Sequence, residues 1–188
     1  MLSKVVEELA NTMKATIKGT DDVLTALRTA VKNQIGGGLK DVGELTGTAL
    51  SVVSDTVAGA VKAASEVGTS VVDASKQAVI AAVGAVSEAG GSVTDATQKA
   101  VSGAVKAAAD VGGDVGGVAV SAVEGAVDTA KNLGKDTTEV ARVAVLGAVK
   151  AAEEVGDETA RAVKEALLSA ASLPREVVES AVKGKDKA

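Results

Sequence analysis

The chain has 188 residues, enough for one ordinary domain or one long element. Its apolar 46% is mainly Ala and Val, and it has no Phe, Trp, Tyr, Cys or His, which excludes a disulfide framework, a thiolate metal site and a centre filled by large aromatic side chains. Twenty-five acids against 20 bases leave a net charge of −5, the wrong sign for a phosphate-binding footprint.

The N-terminus reads MLSKVVEEL, with Glu7 and Glu8 where a signal peptide needs an apolar run. The longest stretch without a charged residue, Gln77 to Ser87, is 11 residues (87 − 77 + 1). A spanning helix needs roughly 20. The expectation is a cytoplasmic protein, or a peripheral one at a membrane, with neither a signal peptide nor a transmembrane segment. Residues 1–35 carry Val5, Val6, Leu9, Met13, Ile17, Val23, Leu24, Leu27, Val31 and Ile35 at roughly helical spacing, which predicts an N-terminal helix. Gly36-Gly37-Gly38 predicts a break at 36–38.

A repeat follows. GAVKAASEVG (59–68), GAVKAAADVG (103–112) and GAVKAAEEVG (147–156) start 44 residues apart. AAVGAVSEAG (81–90) and GAVDTAKNLG (125–134) stand halfway between them, so the period is 22. Twice 11 residues is six helical turns at about 3.67 residues per turn, so each repeat position keeps a nearly fixed azimuth. In the unit from Gly59, the positions Ala60, Val61, Ala64, Val67, Gly68, Val71, Val72, Ser75, Ala78 and Val79 fall on one side. They form a core-facing stripe of small side chains. Lys62, Glu66, Asp73, Lys76 and Gln77 fall opposite, where Lys62–Glu66, Lys106–Asp110 and Lys150–Glu154 are spaced as i,i+4 pairs on a solvated face. Nothing in the pattern alternates as a strand would.

Gly68, Gly90, Gly112, Gly134 and Gly156 share repeat position 10. Two causes compete. Glycine within the stripe lets a second backbone approach, which makes these five, with Val61, Val83, Val105, Val127 and Val149, the candidate helix contacts. Alternatively each glycine ends a helix and the following Ser70, Ser92 or Asp136 starts the next, with an acid three residues on. The constant azimuth favours the first. The fold expectation is therefore all-α: long amphipathic helices in an extended hairpin or bundle. A first repeat arm would run over 39–111, a Gly-rich turn over 112–117 and a second arm over 118–173. Pro174 would open a short C-terminal helix and tail over 174–188. The alternative is a row of ~20-residue helices broken at the five glycines.

No constellation carries chemistry. GGDVGG (112–117) departs from GxGxxG and follows no strand, and GxxxxGK[ST] is missing. Carboxylates recur along one stripe instead of converging in a pocket. The expectation is no enzyme, no catalytic or metal-ligating residues, no cofactor and no nucleic-acid partner.

The segments VEGAVDTAKNLG (123–134) and SVVDASKQAVIAAVG (70–84) resemble the 11- and 22-residue amphipathic repeats of synucleins, perilipins, exchangeable apolipoproteins and group 3 late-embryogenesis-abundant proteins. The resemblance covers about residues 37–168 and implies a helix whose apolar stripe coats lipid, an inclusion or another helix. From the stripe itself, the first functional expectation is a structural protein that self-assembles into a bundle, oligomer or filament. The alternatives are a peripheral coat on a membrane, lipid droplet or hydrophobic inclusion, and a desiccation protectant.

Overall fold

The computed structural model describes residues 20–42 and 47–184, together with isolated helical positions 4, 7 and 11. The rest of the expected N-terminal helix over 1–35 and the tail from 185 lie outside the described residues. Eight helices follow in chain order: α1 (Thr20–Val42), α2 (Gly47–Glu66), α3 (Val71–Glu88), α4 (Val93–Asp110), α5 (Val115–Asn132), α6 (Thr137–Val155), α7 (Asp157–Ser169) and α8 (Arg175–Lys183). The described chain is all-α.

The two long continuous arms expected over 39–111 and 118–173 do not form. The chain turns once per 22-residue unit, as in the alternative row of short helices. The cause is local and repeated. Gly68, Gly90, Gly112 and Gly134 have φ of 74°, 80°, 67° and 64°, the left-handed conformation that glycine adopts without steric cost. In that conformation the next two amides fold back on the helix end. Gly68 N–H donates to the Ser65 carbonyl (3.1 Å) and Thr69 N–H to the Ala64 carbonyl (2.9 Å). The same pair of bonds closes α3, α4 and α5, through Gly90 and Gly91, Gly112 and Gly113, and Gly134 and Lys135. Orphan carbonyls are thereby satisfied and the helix stops.

Two residues past each glycine a polar side chain opens the next helix. Ser70 accepts from Asp73 N–H and Ser92 from Asp95 N–H, both at 3.2 Å. Asp114 accepts from Gly117 N–H at 2.9 Å, and Asp136 from Thr138 and Glu139 N–H at 2.9 and 3.1 Å. Each such cap stabilises its helix by about 1 kcal/mol.

Of the two glycine-rich runs expected to break the chain, 36–38 makes no break, and 112–117 turns the chain only at its start, between Asp110 and Val115. Gly36, Gly37 and Gly38 lie inside α1, which continues to Val42. A Cβ on Gly38 would press on Val52 Cγ1 at 3.0 Å, so that glycine lets α2 come close. In the 112–117 run only Gly112 has a positive φ. Gly116 and Gly117 belong to α5, where a Cβ on Gly116 would meet Ala166 of α7 at 3.0 Å.

Tight turns make successive helices antiparallel neighbours. Each helix also packs on the helix two further along the chain. The result is two layers, α1, α3, α5, α7 and α2, α4, α6, α8, stacked so that the structural unit is a helix pair of 44 residues. One continuous apolar cluster lies between the layers and is almost entirely Ala and Val over its central length. Small side chains suffice because the core is a thin slab between closely approaching helices, not the centre of a globule.

Candidate functional site

The candidate contacts divide into two groups. Val61, Val83, Val105 and Val149 are fully buried in the cluster, and Val127 is half-buried at its edge. The five glycines of position 10 are not helix contacts. Gly68, Gly90, Gly112 and Gly134 are exposed at turns, with open space where a Cβ would stand. Gly156 carries the chain from α6 to α7 in a single residue.

Close approach is provided by a different set, at repeat position 1. A Cβ on Gly103 would run into the carbonyl oxygen of Ser54. One on Gly125 would lie 2.9 Å from the Lys76 carbonyl, and one on Gly147 2.9 Å from the Gln98 carbonyl. Backbone rests on backbone, so any larger residue must push two helices apart. In each case the partner lies 49 residues earlier, on the preceding helix of the same layer. The signal was in the sequence: glycine at 59, 103, 125 and 147, in mid-helix, where glycine is otherwise unfavourable.

The charged face is organised between helices. Lys62 meets Asp110 of α4 at 2.7 Å rather than Glu66 on its own helix. Lys106 meets Glu154 of α6, also 48 residues on. In the other layer, Lys76 lies 3.3 Å from both Glu124 and Asp128 of α5, and Lys32 lies 2.8 Å from Glu88. The i,i+4 spacing seen in the sequence is a by-product: a 44-residue repeat places the next helix's acid at 44 + 4. Partial burial of Lys76 opposes its charge, but hydrogen bonds and attraction from Asp128 and Glu124 outweigh this and hold its ammonium above the usual lysine range. The hydrogen bond from Lys106 holds the Glu154 carboxyl below the usual carboxylate range. The Thr97 hydroxyl is buried in α4 with no hydrogen-bond partner.

A shallow open groove of about 390 Å³ crosses α1, α3 and α5. Its floor is Ile80, Ala81, Gly84 and Ala85, and its rims include Arg28, Lys32 and Leu133. Lys32 and Glu88 pair across it. Among the described residues no cluster of three or more acids suits a metal ion, and no helix is long and apolar enough to cross a membrane.

No family model matches the chain, and no curated protein matches it. Among solved structures, it is similar to the crystal structure of a de novo designed helical repeat protein at 21% identity, covering 100% of this chain and 95% of that one, with a TM-score of 0.49.

Proposed function

We propose that this chain is a non-enzymatic structural scaffold: a stack of helix pairs that works as a folded single chain. One observation carries the reading. The apolar stripe that would drive association or coat lipid is occupied within the chain, with Val61, Val83, Val105 and Val149 each 0% exposed. Among the described residues, the large apolar side chains left exposed are scattered ones: Leu133, Val155 and Leu168, each 37–44% exposed. Scattered apolar side chains are ordinary on a monomer surface. The lysines and carboxylates support the non-enzymatic part, because they pair helix to helix at a fixed spacing instead of converging on a cavity.

Self-assembly through the stripe, and the lipid coat, would each require the stack to open. Sedimentation velocity and flotation with liposomes test this together. The expected result is a single monomeric species that stays behind when vesicles float. A concentration-dependent oligomer or filament would return the function to self-assembly, and co-flotation would return it to the coat.

A further inference from the structure

We propose that the groove between α1 and α3 is a docking site for an acidic amphipathic helix of another protein. The groove is longer than its 390 Å³ portion. A second portion of about 670 Å³ adjoins it, lined by Asn33, Gly36, Gly37, Leu39 and Ala89. Lys32, Ala85 and Glu88 line both. Together the portions follow α1 from Thr25 to Leu39, about 21 Å or four helical turns.

Three glycines keep the groove open. Gly36, Gly37 and Gly84 lie in mid-helix, with open space where a Cβ would stand. None has the positive φ of the turn glycines, and none makes the close helix approach of Gly103, Gly125 and Gly147. Glycine is unfavourable in mid-helix, and neither use that the stack makes of it elsewhere accounts for these three. Gly84 is the sharpest case. Lys62, Lys106, Asp128 and Lys150 hold the same repeat position in the other units. In α3 that charged side chain is missing, so a second backbone can come down on the apolar floor of Ile80, Ala81 and Ala85.

Charge selects the occupant. The rim has two bases, Arg28 and Lys32, and one acid, Glu88. Glu88 holds Lys32 at 2.8 Å, which leaves Arg28 exposed and without an acid partner among the described residues. The grooves beside α7 lean the other way. Asp114, Glu158 and Glu165 line one with no base, and three acids against Arg161 and Lys164 line the other. A helix with small apolar side chains on one stripe and carboxylates beside it fits both the floor and the Arg28 guanidinium. A second copy would bring a net charge of −5 to a chain of −5, which disfavours it as the occupant. Such a groove gives the folded stack something to hold, a step beyond the scaffold reading.

Two synthetic helices of about 15 residues, titrated into the isotope-labelled full-length chain, test this by nuclear magnetic resonance. One carries a leucine and alanine stripe flanked by glutamates; the other has lysine for each glutamate. The acidic helix should shift the Gly36, Gly37 and Gly84 amide signals saturably, and the basic one should bind about tenfold more weakly. Gly84→Leu, which fills the open site without meeting another helix, should abolish the shifts at Gly36 and Gly37 with helicity kept. Arg28→Glu should weaken the acidic helix about fivefold, and Lys150→Glu, the same charge change on α6, should not. No saturable shift, equal binding of the two helices, or full binding to Gly84→Leu would overturn the proposal. So would changes in the same amides on diluting the protein alone, which would give the groove to a second copy. Sedimentation and vesicle flotation of the free chain, which test the scaffold reading, are read separately from these shifts.

Discussion

Between Gly59 and Val155 the stack is held by small side chains repeated in register; beyond Gly156 it is held by larger ones used once. In the central region, glycine faces backbone and lysine reaches an acid 48 residues on. At the C-terminal end the turn shrinks to one residue, and α7 and α8 shorten to 13 and 9 residues. Leu167 and Leu173 are buried there, with Val178 and Val182 from the last helix. The charges of α8 pair within that helix, where Glu179 meets Arg175 at 2.9 Å and Lys183 at 3.3 Å, while Lys164 of α7 still reaches Glu153 of α6 at 3.2 Å. The contrast separates two packing problems. An interior helix must fit between two like neighbours at one repeating distance, which small residues set. The last described helices, α7 and α8, have a described neighbour on one side of their layer only, and they bury area through bulk.

That contrast can be broken from the centre first. Gly103→Leu forces four carbons against the Ser54 backbone and should cost about 4 kcal/mol or more, read as a collapse of the urea midpoint. Gly84→Ala is its control: it lies in mid-helix over open space and should be neutral or stabilise by up to about 1 kcal/mol. If Gly103→Leu proved as well tolerated as Gly84→Ala, close backbone approach would not be what holds the centre.

At the end, Leu167→Ala should cost about 2–3 kcal/mol. Hydrogen exchange should place the loss in α7 and α8, with α3 to α5 still protected, because a stacked chain loses its terminal unit first.

The turns come next in size. Gly134→Ala keeps an open site but forces alanine to φ near 64°, and should cost about 1–2 kcal/mol. Gly125→Ala meets the Lys76 carbonyl at an ordinary helical φ. Separating the two by mutant crystal structures, one with a rebuilt turn and one with displaced helices, would sharpen the division of labour between positions 10 and 1.

The smallest effect is electrostatic. The Glu154 carboxyl is lowered in the folded chain, so its contribution is present above the unfolded value of about 4.3 and is lost as pH falls through the lowered folded value. Because the pair is half exposed, that contribution is under about 1 kcal/mol. Glu179 is lowered in the same direction by Arg175 and Lys183. Glu154→Gln should flatten the acid-induced fall of the urea midpoint and loosen α4 against α6, whereas Glu179→Gln should loosen only the last helix.

The all-helical class, the period and the buried valines were legible because they rest on composition and azimuth, which any 22-residue helical repeat preserves. The turns were harder to read for a physical reason. A repeated unit keeps its phase by repetition alone, whether or not the helix is interrupted, so constant azimuth could not distinguish one rod from many short ones. The deciding signal was the pairing of Gly68, Gly90, Gly112 and Gly134 with Ser70, Ser92, Asp114 and Asp136 two residues later, a stop and a start in fixed sequence. The contact glycines were obscured by that louder signal. Gly103 and Gly147 open the phrases whose last glycines, Gly112 and Gly156, drew attention to the wrong end. Interhelical bridges such as Lys62–Asp110 were hidden because a repeat makes a long-range partner indistinguishable from a local one.

The alternation of layers limits how such a gene can change length. Adding or removing 44 residues carries a helix pair in or out and returns every later helix to its own layer, with Lys and acid again 48 apart. A slip of 22 would move each later helix to the opposite layer, setting the GAVKAA units of α2, α4 and α6 where the α3 and α5 units belong. Recombination within this chain should therefore leave survivors in whole pairs, so that the stack's length varies in steps of two helices.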